Sequence, residues 1–205
     1  AAMMGQRGHF RLRHRPAPAM RAGMSKPRTI LVLGGARSGK SRHAQSLAEA
    51  MTPQGCFIAT AQAWDDEMRE RIARHVADRD ARWTTVEAPL ALPEAIAEHS
   101  RADRVVLVDC LTLWLSNLLM DMDDAPGAPL PGLFVRERAA LVDTLPMLPG
   151  RIALVSNEVG SGVVPMGRLS RVFVDEAGRL HQALARLCPR VTLVTAGLPL
   201  ALKRP

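Results

Sequence analysis

Residues 34 to 41 of this 205-residue chain read Gly34, Gly35, Ala36, Arg37, Ser38, Gly39, Lys40, Ser41, an uninterrupted G-x-x-x-x-G-K-[ST] pattern. It stands between an apolar, β-branched run, Thr29 to Leu33, and a helix-forming run, His43 to Ala50. No other feature restricts the fold as strongly. A strand that ends in a glycine-rich turn and continues as a helix aims backbone N–H groups and the positive end of a helix dipole at one point, which suits a polyphosphate. Gly34, Gly35 and Gly39 let the backbone bend and come close to phosphate oxygens. In such a loop Lys40 reaches the β- and γ-phosphates, and the Ser41 hydroxyl holds Mg²⁺. A glycine-rich turn that matched by accident would not need a strand before it and a helix after it.

Short apolar runs recur at intervals filled by helical periodicity, the pattern of an α/β fold with a doubly wound, mostly parallel sheet flanked by helices. The expected strands are Thr29 to Leu33, Cys56 to Thr60, Arg104 to Asp109, Ile152 to Ser156 and Val191 to Thr195. Trp83 to Glu87 alternates less clearly and reads as an edge strand or a loop. Helices are expected after the phosphate loop, over Asp65 to about Arg79, and over Leu92 to His99, Leu111 to Met120, Leu133 to Leu145 and Leu169 to Leu187. The stretch Asp121 to Gly132, with Pro126, Gly127, Pro129 and Pro131, reads as an exposed, mobile loop.

The net charge of +7 suggests nucleic acid until its location is considered. Seven of the 27 basic residues fall within the first 28 positions, which contain no acid, so the 20 that remain balance the 20 acidic residues. The body is therefore formally neutral and presents no case for nucleic-acid binding. Residues 1–28 lack apolar periodicity and are expected to be a disordered basic extension, with residues 29–205 as one phosphate-loop domain. No run approaches ~18 apolar residues and no secretory segment is visible, so a cytoplasmic protein without a transmembrane segment is expected. Cys56, Cys110 and Cys188 are odd in number and widely spaced, which fits buried free thiols.

Ligands of parallel sheets gather beyond the carboxyl ends of the strands. The run Val105 to Val108 ends in Asp109, either a carboxylate that orients Mg²⁺ or a cap on the next helix. The strand ending at Ser156 leads into Asn157, Glu158, Val159 and Gly160, either a flexible turn or groups that position an acceptor hydroxyl or water beside the γ-phosphate. Arg168, Arg171 and Arg179 follow on a helical stretch, where solvated or ion-paired roles are the default. On the expected helix from Asp65, residues Met68, Ile72 and Val76 form an apolar stripe with His75 at its edge. Spacing alone favours a partly buried structural histidine there.

Taken together, Gly34 to Ser41, the run Ile58-Ala59-Thr60-Ala61, the segment Asp65-Asp66-Glu67-Met68 with Arg71, Ile72 and His75, the element Trp83, Thr85 and Glu87, and Ser156 to Pro165 resemble one enzyme family. It is the bifunctional adenosylcobinamide kinase/adenosylcobinamide-phosphate guanylyltransferase family of cobalamin biosynthesis. The motifs occur in the family's order from about Thr29 to Lys203. The resemblance implies two reactions. A nucleoside triphosphate, ATP or GTP, phosphorylates the aminopropanol hydroxyl of adenosylcobinamide. GMP from GTP then passes to the phosphorylated corrinoid through a covalent histidine intermediate, and by position that histidine is His75.

The same resemblance places nucleotide on Gly34 to Ser41, with Ala59, Thr60, Ala61, Val76, Ala77, Asp78, Arg79, Glu87 and Asp109 completing the GTP site and Glu87 facing guanine. With the phosphate loop in place, Ser41 and Asp109 are the expected Mg²⁺ ligands, and the resemblance implies a homotrimer. Position 74 is Arg where some members have a second histidine, which leaves His75 alone in that pair. Two simpler readings use the same loop: a small-molecule kinase without nucleotidyl transfer, and a non-catalytic GTP-binding switch.

Overall fold

The computed structural model describes residues 28–62 and 82–204. His75, Val76, Ala77, Asp78 and Arg79, with the helix expected around them, lie outside the described residues, as does the extension before Arg28.

The described residues form seven strands of one sheet: β1 (Thr29–Gly34), β2 (Gln54–Ala59), β3 (Trp83–Glu87), β4 (Arg104–Asp109), β5 (Arg151–Asn157), β6 (Arg190–Thr195) and β7 (Leu198–Lys203). Their order across the sheet is β3-β2-β4-β5-β1-β6-β7, and every pair is parallel except β6 with β7. The helices among the described residues are α1 (Lys40–Glu49), α2 (Leu92–His99), α3 (Leu111–Leu118), α4 (Gly132–Thr144) and α5 (Arg168–Leu187).

Period-two alternation explains why the central runs are apolar throughout. Ile30 and Val32 of β1 face one side and join Val105, Leu107, Ala153 and Val155 under Ala44 and Ala48 of α1. Leu31 and Leu33 face the other side and join Val106, Val108, Ile152 and Leu154 under α2, α3, α4 and α5. A strand covered on both faces has no solvent side on which to place polar residues. All six residues of β1 are buried accordingly. Each buried Leu, Ile or Val contributes about 1.5–3 kcal/mol, so the middle of the sheet is where the register is held most firmly.

Trp83 to Glu87 is a strand, and its weak alternation follows from its place at the sheet edge, where among the described residues it pairs with β2 alone. β7 was not foreseen. It follows a two-residue turn in which Ala196 and Gly197 both have positive φ, 52° and 78°, the geometry that folds a strand tightly back on itself. All six of its residues are exposed, and Pro199 is tolerated because this is an edge strand.

The segment from Asp121 to Pro131 is largely exposed as expected, yet it is tethered: the Arg168 guanidinium donates to the carbonyls of Asp123 and Ala128, the latter at 2.7 Å. Arg171 likewise donates to the carbonyls of Pro165 and Met166. Glu176, only 3% exposed, sits between Arg179 and Arg138 of α4, the latter in ion-pair contact at 3.2 Å without hydrogen-bond geometry. Arg168, Arg171 and Arg179 of α5 therefore bind protein groups. No helix among the described residues is long and apolar enough to cross a membrane.

Candidate functional site

The strand order sets which residues meet at the carboxyl edge. β5 lies between β1 and β4, so Asn157 stands opposite Gly34 and Val155 opposite Asp109. On the far side of β4, Ala59 pairs with Asp109, and Glu87 pairs with Ala59. Glu87, Ala59, Asp109, Asn157 and Gly34 thus occupy the same rim on five neighbouring strands. Thr60 and Ala61 continue β2 beyond that rim.

The phosphate loop leaves β1 at Gly34 and enters α1 through Gly39, whose φ of 91° is costly for any residue with a Cβ. Arg37 also has positive φ, 55°. At Gly34 the constraint is space: a Cβ there would meet the Val194 carbonyl oxygen at 2.6 Å and the Ser38 hydroxyl closer still. The loop is pinned from behind, because Gly197 N–H at the β6–β7 turn donates to the Ser38 carbonyl at 2.9 Å. Lys40, 9% exposed, curls over the loop and donates to the Gly35 carbonyl at 3.3 Å. Ser38 Oγ is buried without a partner among the described residues, a polar atom suited to a phosphate oxygen.

Asp109 is partly exposed at the end of β4, and Cys110, not Asp109, is the residue immediately before α3. The peptide joining them is cis. Thr60, fully buried, accepts from Cys110 N–H at 2.9 Å and donates to its carbonyl at 2.6 Å. From α3, the Asn117 amide donates to the carbonyls of Thr60 and Pro89, at 2.8 and 3.0 Å, and Trp114 Nε1 donates to Leu90 at 2.8 Å. One helix therefore fixes the exits of both β2 and β3.

A second polar group, absent from the expected site residues, supports the end of β5. His181 Nε2 is 2.8 Å from Ser156 Oγ, which is 3.2 Å from Thr112 Oγ1 on α3. Asn157 N–H donates to Thr112 Oγ1 at 2.6 Å. Burial holds the His181 imidazole below the usual histidine range, against the opposing pull of the Glu158 carboxylate. The only sequence signal is indirect: His181 shares the apolar stripe of α5 with Ala177, Leu180 and Leu184, where a polar residue needs a partner. The three cysteines are buried free thiols, and burial pushes Cys188 up to about 12, which makes thiolate chemistry there unfavourable.

Residues 30–202 match the family described as cobinamide kinase/cobinamide phosphate guanyltransferase. The chain belongs to that family. It is 57% identical over 173 residues to the bifunctional adenosylcobalamin biosynthesis protein CobP of Pseudomonas aeruginosa, spanning 84% of this chain and 96% of that protein. It is also 41% identical over 180 residues to the bifunctional adenosylcobalamin biosynthesis protein CobU of Escherichia coli K12, spanning 85% and 99% of the two. The cobinamide kinase/guanyltransferase reading thus rests on similarity along nearly the whole of both relatives. In this family member the described residues bring Gly34 to Ser41, Ala59 to Ala61, Glu87 and Asp109 to one end of the sheet.

Two outcomes follow. Gly34→Ala should cost about 1–3 kcal/mol of stability, and it should also shrink the rise in melting temperature that saturating GTP gives the wild type; an undiminished rise would show that the close contact with Val194 is unimportant. The second concerns pH. The fold holds His181 neutral, so the unfolded chain takes up its proton first as pH falls below about 6.5. This part of the stability is complete above that pH and is lost as pH falls through the folded pKa. His181→Gln should therefore lose less stability than wild type between pH 7.5 and 5.5, measured by urea denaturation. Equal losses would remove His181 as a source of acid sensitivity.

Proposed function

We propose that the family's two activities, cobinamide kinase and cobinamide phosphate guanyltransferase, are divided in this chain between the phosphate loop and His75. The match over residues 30–202 is the observation that carries this reading, since both activities belong to one stretch of chain with a single phosphate-loop pattern.

In the first reaction the loop binds a nucleoside triphosphate, ATP or GTP. Backbone N–H groups and Lys40 hold its phosphates, and the aminopropanol hydroxyl of adenosylcobinamide attacks the γ-phosphorus. At the end of the strand between the loop and Asp109, the Asn157 amide orients that hydroxyl and the Glu158 carboxylate takes up its proton. Glu158 N–H donates to the Gly34 carbonyl at 3.1 Å, which ties these groups to the loop. Ser41 and Asp109 would hold Mg²⁺: one hydroxyl and one carboxylate, with phosphates and water, form a donor set this ion accepts. Among the described residues no group of three His, Cys, Asp or Glu forms a metal cage, in keeping with an ion held largely by its substrate. When bound, it would neutralise charge on the β- and γ-phosphates.

In the second reaction a neutral His75 imidazole nitrogen attacks the α-phosphorus of GTP. A P–N bond forms as the bond to pyrophosphate breaks. A phosphate oxygen of adenosylcobinamide phosphate then displaces the imidazole, giving adenosylcobinamide-GDP and free histidine. The two anionic substrates need never be present together. β3 stands four strands from β1, about 19 Å at ~4.8 Å per strand. A GTP stretched along the rim would carry its guanine toward Glu87, whose carboxylate accepts from the N1–H and 2-amino groups. Ala59 to Ala61 and Val76 to Arg79 complete that site.

We assign a homotrimer in the cytoplasm, with the exposed Leu198, Leu200 and Leu202 of β7 as the apolar surface that association would cover. Sedimentation equilibrium should give about three times the monomer mass, and a monomer throughout would refute it.

The mechanism is tested with GTP labelled at the α-phosphate. Denatured wild-type protein should retain acid-labile, alkali-stable label, and His75→Ala should retain none while still phosphorylating adenosylcobinamide. Undiminished label in His75→Ala would refute the histidine intermediate.

A further inference from the structure

His181, Ser156 and Thr112 form a buried chain that no step of the mechanism uses. Their exposures are 8%, 0% and 7%, and they come from α5, β5 and α3. Burying three polar side chains where apolar ones would pack is costly unless each finds its partners.

Proton directions in the chain can be worked out from its fixed end. Asn157 N–H donates to Thr112 Oγ1, so that oxygen acts as an acceptor there. If Thr112 passes its own hydrogen to Ser156 Oγ, Ser156 donates to His181 Nε2, and every hydroxyl in the chain is both donor and acceptor. His181 is then neutral, with its proton on Nδ1. With Nε2 protonated, the run reverses, and the Thr112 hydrogen is left without a place in it. The direction of the His181 pKa agrees with the neutral arrangement.

The chain ends on the backbone at a place where the sheet itself stops. β4 finishes at Asp109, opposite Val155, so β4 offers no ladder acceptor to Asn157 N–H, and Thr112 Oγ1 takes that place. The next N–H, that of Glu158, points to the opposite side and bonds Gly34 of the phosphate loop. Two hydrogen bonds, one from each flank, therefore set the peptide that presents Asn157 and Glu158. Asn157 Oδ1 is shielded from solvent and has no partner among the described residues, so a polar atom is held ready at this point. Glu158 Oε1 accepts from Gly160 N–H at 2.6 Å, which fixes the carboxylate as well.

We propose that His181 is a positioning residue for phosphoryl transfer, acting through Ser156 and Thr112 to fix the Asn157–Glu158 peptide that orients the acceptor hydroxyl at the γ-phosphate. This rests on the kinase half of the function proposed above. His181 touches no substrate. Its influence falls on the γ-phosphate end alone, so transfer of GMP to His75 does not depend on it.

The test uses the full chain with ATP and adenosylcobinamide, and in parallel the α-labelled GTP assay. His181→Leu should lower the kinase kcat by about 10–100-fold, the usual cost of mis-setting a catalytic group through its support. KM for ATP and the amount of protein-bound GMP should change less than about threefold, because neither the loop nor His75 is disturbed. His181→Gln keeps an acceptor for Ser156 and should recover most of the lost kcat. The double variant His181→Leu with Thr112→Val should be no slower than Thr112→Val alone, since both cut one chain. Should His181→Leu fail to fold, Ser156→Ala carries the same expectations.

A Gln variant as slow as the Leu variant, losses that multiply in the double variant, or equal losses of kinase and GMP labelling would each overturn the inference. A wild-type protein that never phosphorylates adenosylcobinamide would instead overturn the function on which it rests, an outcome separable from the others because it needs no variant.

Discussion

The structure depends on the complete burial of β1. Its six residues are covered on both faces and bordered by β5 and β6, so the strand cannot shift register without exposing one apolar set and burying the wrong one. Everything at the carboxyl rim inherits this fixity. The phosphate loop starts from an immobile point, and a polyphosphate requires several weak donors aimed to within fractions of an ångström. A core with that packing supplies such aim without any side chain dedicated to it. Gly34 marks where the two demands meet: the same close approach to Val194 that seals the core forbids a Cβ at the first residue of the loop.

The sheet order adds the second constraint. With β5 between β1 and β4, the phosphate loop and Asp109 are separated by one strand, and the end of that strand is the natural place for groups acting between them. Ser156 faces inward to its polar partners, while Asn157 stands on the rim and Glu158 extends past it. The support for this strand end is drawn from two helices on one side of the sheet, α3 and α5. By contrast, α1 on the opposite side is tied to the loop itself. On the function proposed above the two faces have separate duties, one holding the phosphates and the other holding what acts upon them.

How much of this the sequence disclosed follows from the range of the interactions. The five buried strands and the phosphate loop were legible because their signals are local: an apolar run, a glycine turn, a helical period. Asp109 at the end of β4 was legible for the same reason, although whether it served metal or helix was not. β7 was not, since an edge strand has only one neighbour to satisfy and its Pro199 argues against a strand when read alone. The tethering of the Pro-rich segment to Arg168 was hidden too, because it joins residues about forty positions apart. The chain from His181 to Asn157 joins three elements, and none of its members stands out by spacing. His75 and the residues after it rest on motif resemblance, since they fall outside the described residues.

The turn between β6 and β7 has one further consequence. Gly197 N–H is bonded to the Ser38 carbonyl, so the outermost hairpin of the sheet braces the loop at its centre. The stiffness of that brace is set by a strand whose side chains are all exposed. The loop's rigidity is therefore a property shared with the molecule's surface: anything that damps the hairpin damps the loop, and by reciprocity a triphosphate seated on the loop quiets the hairpin.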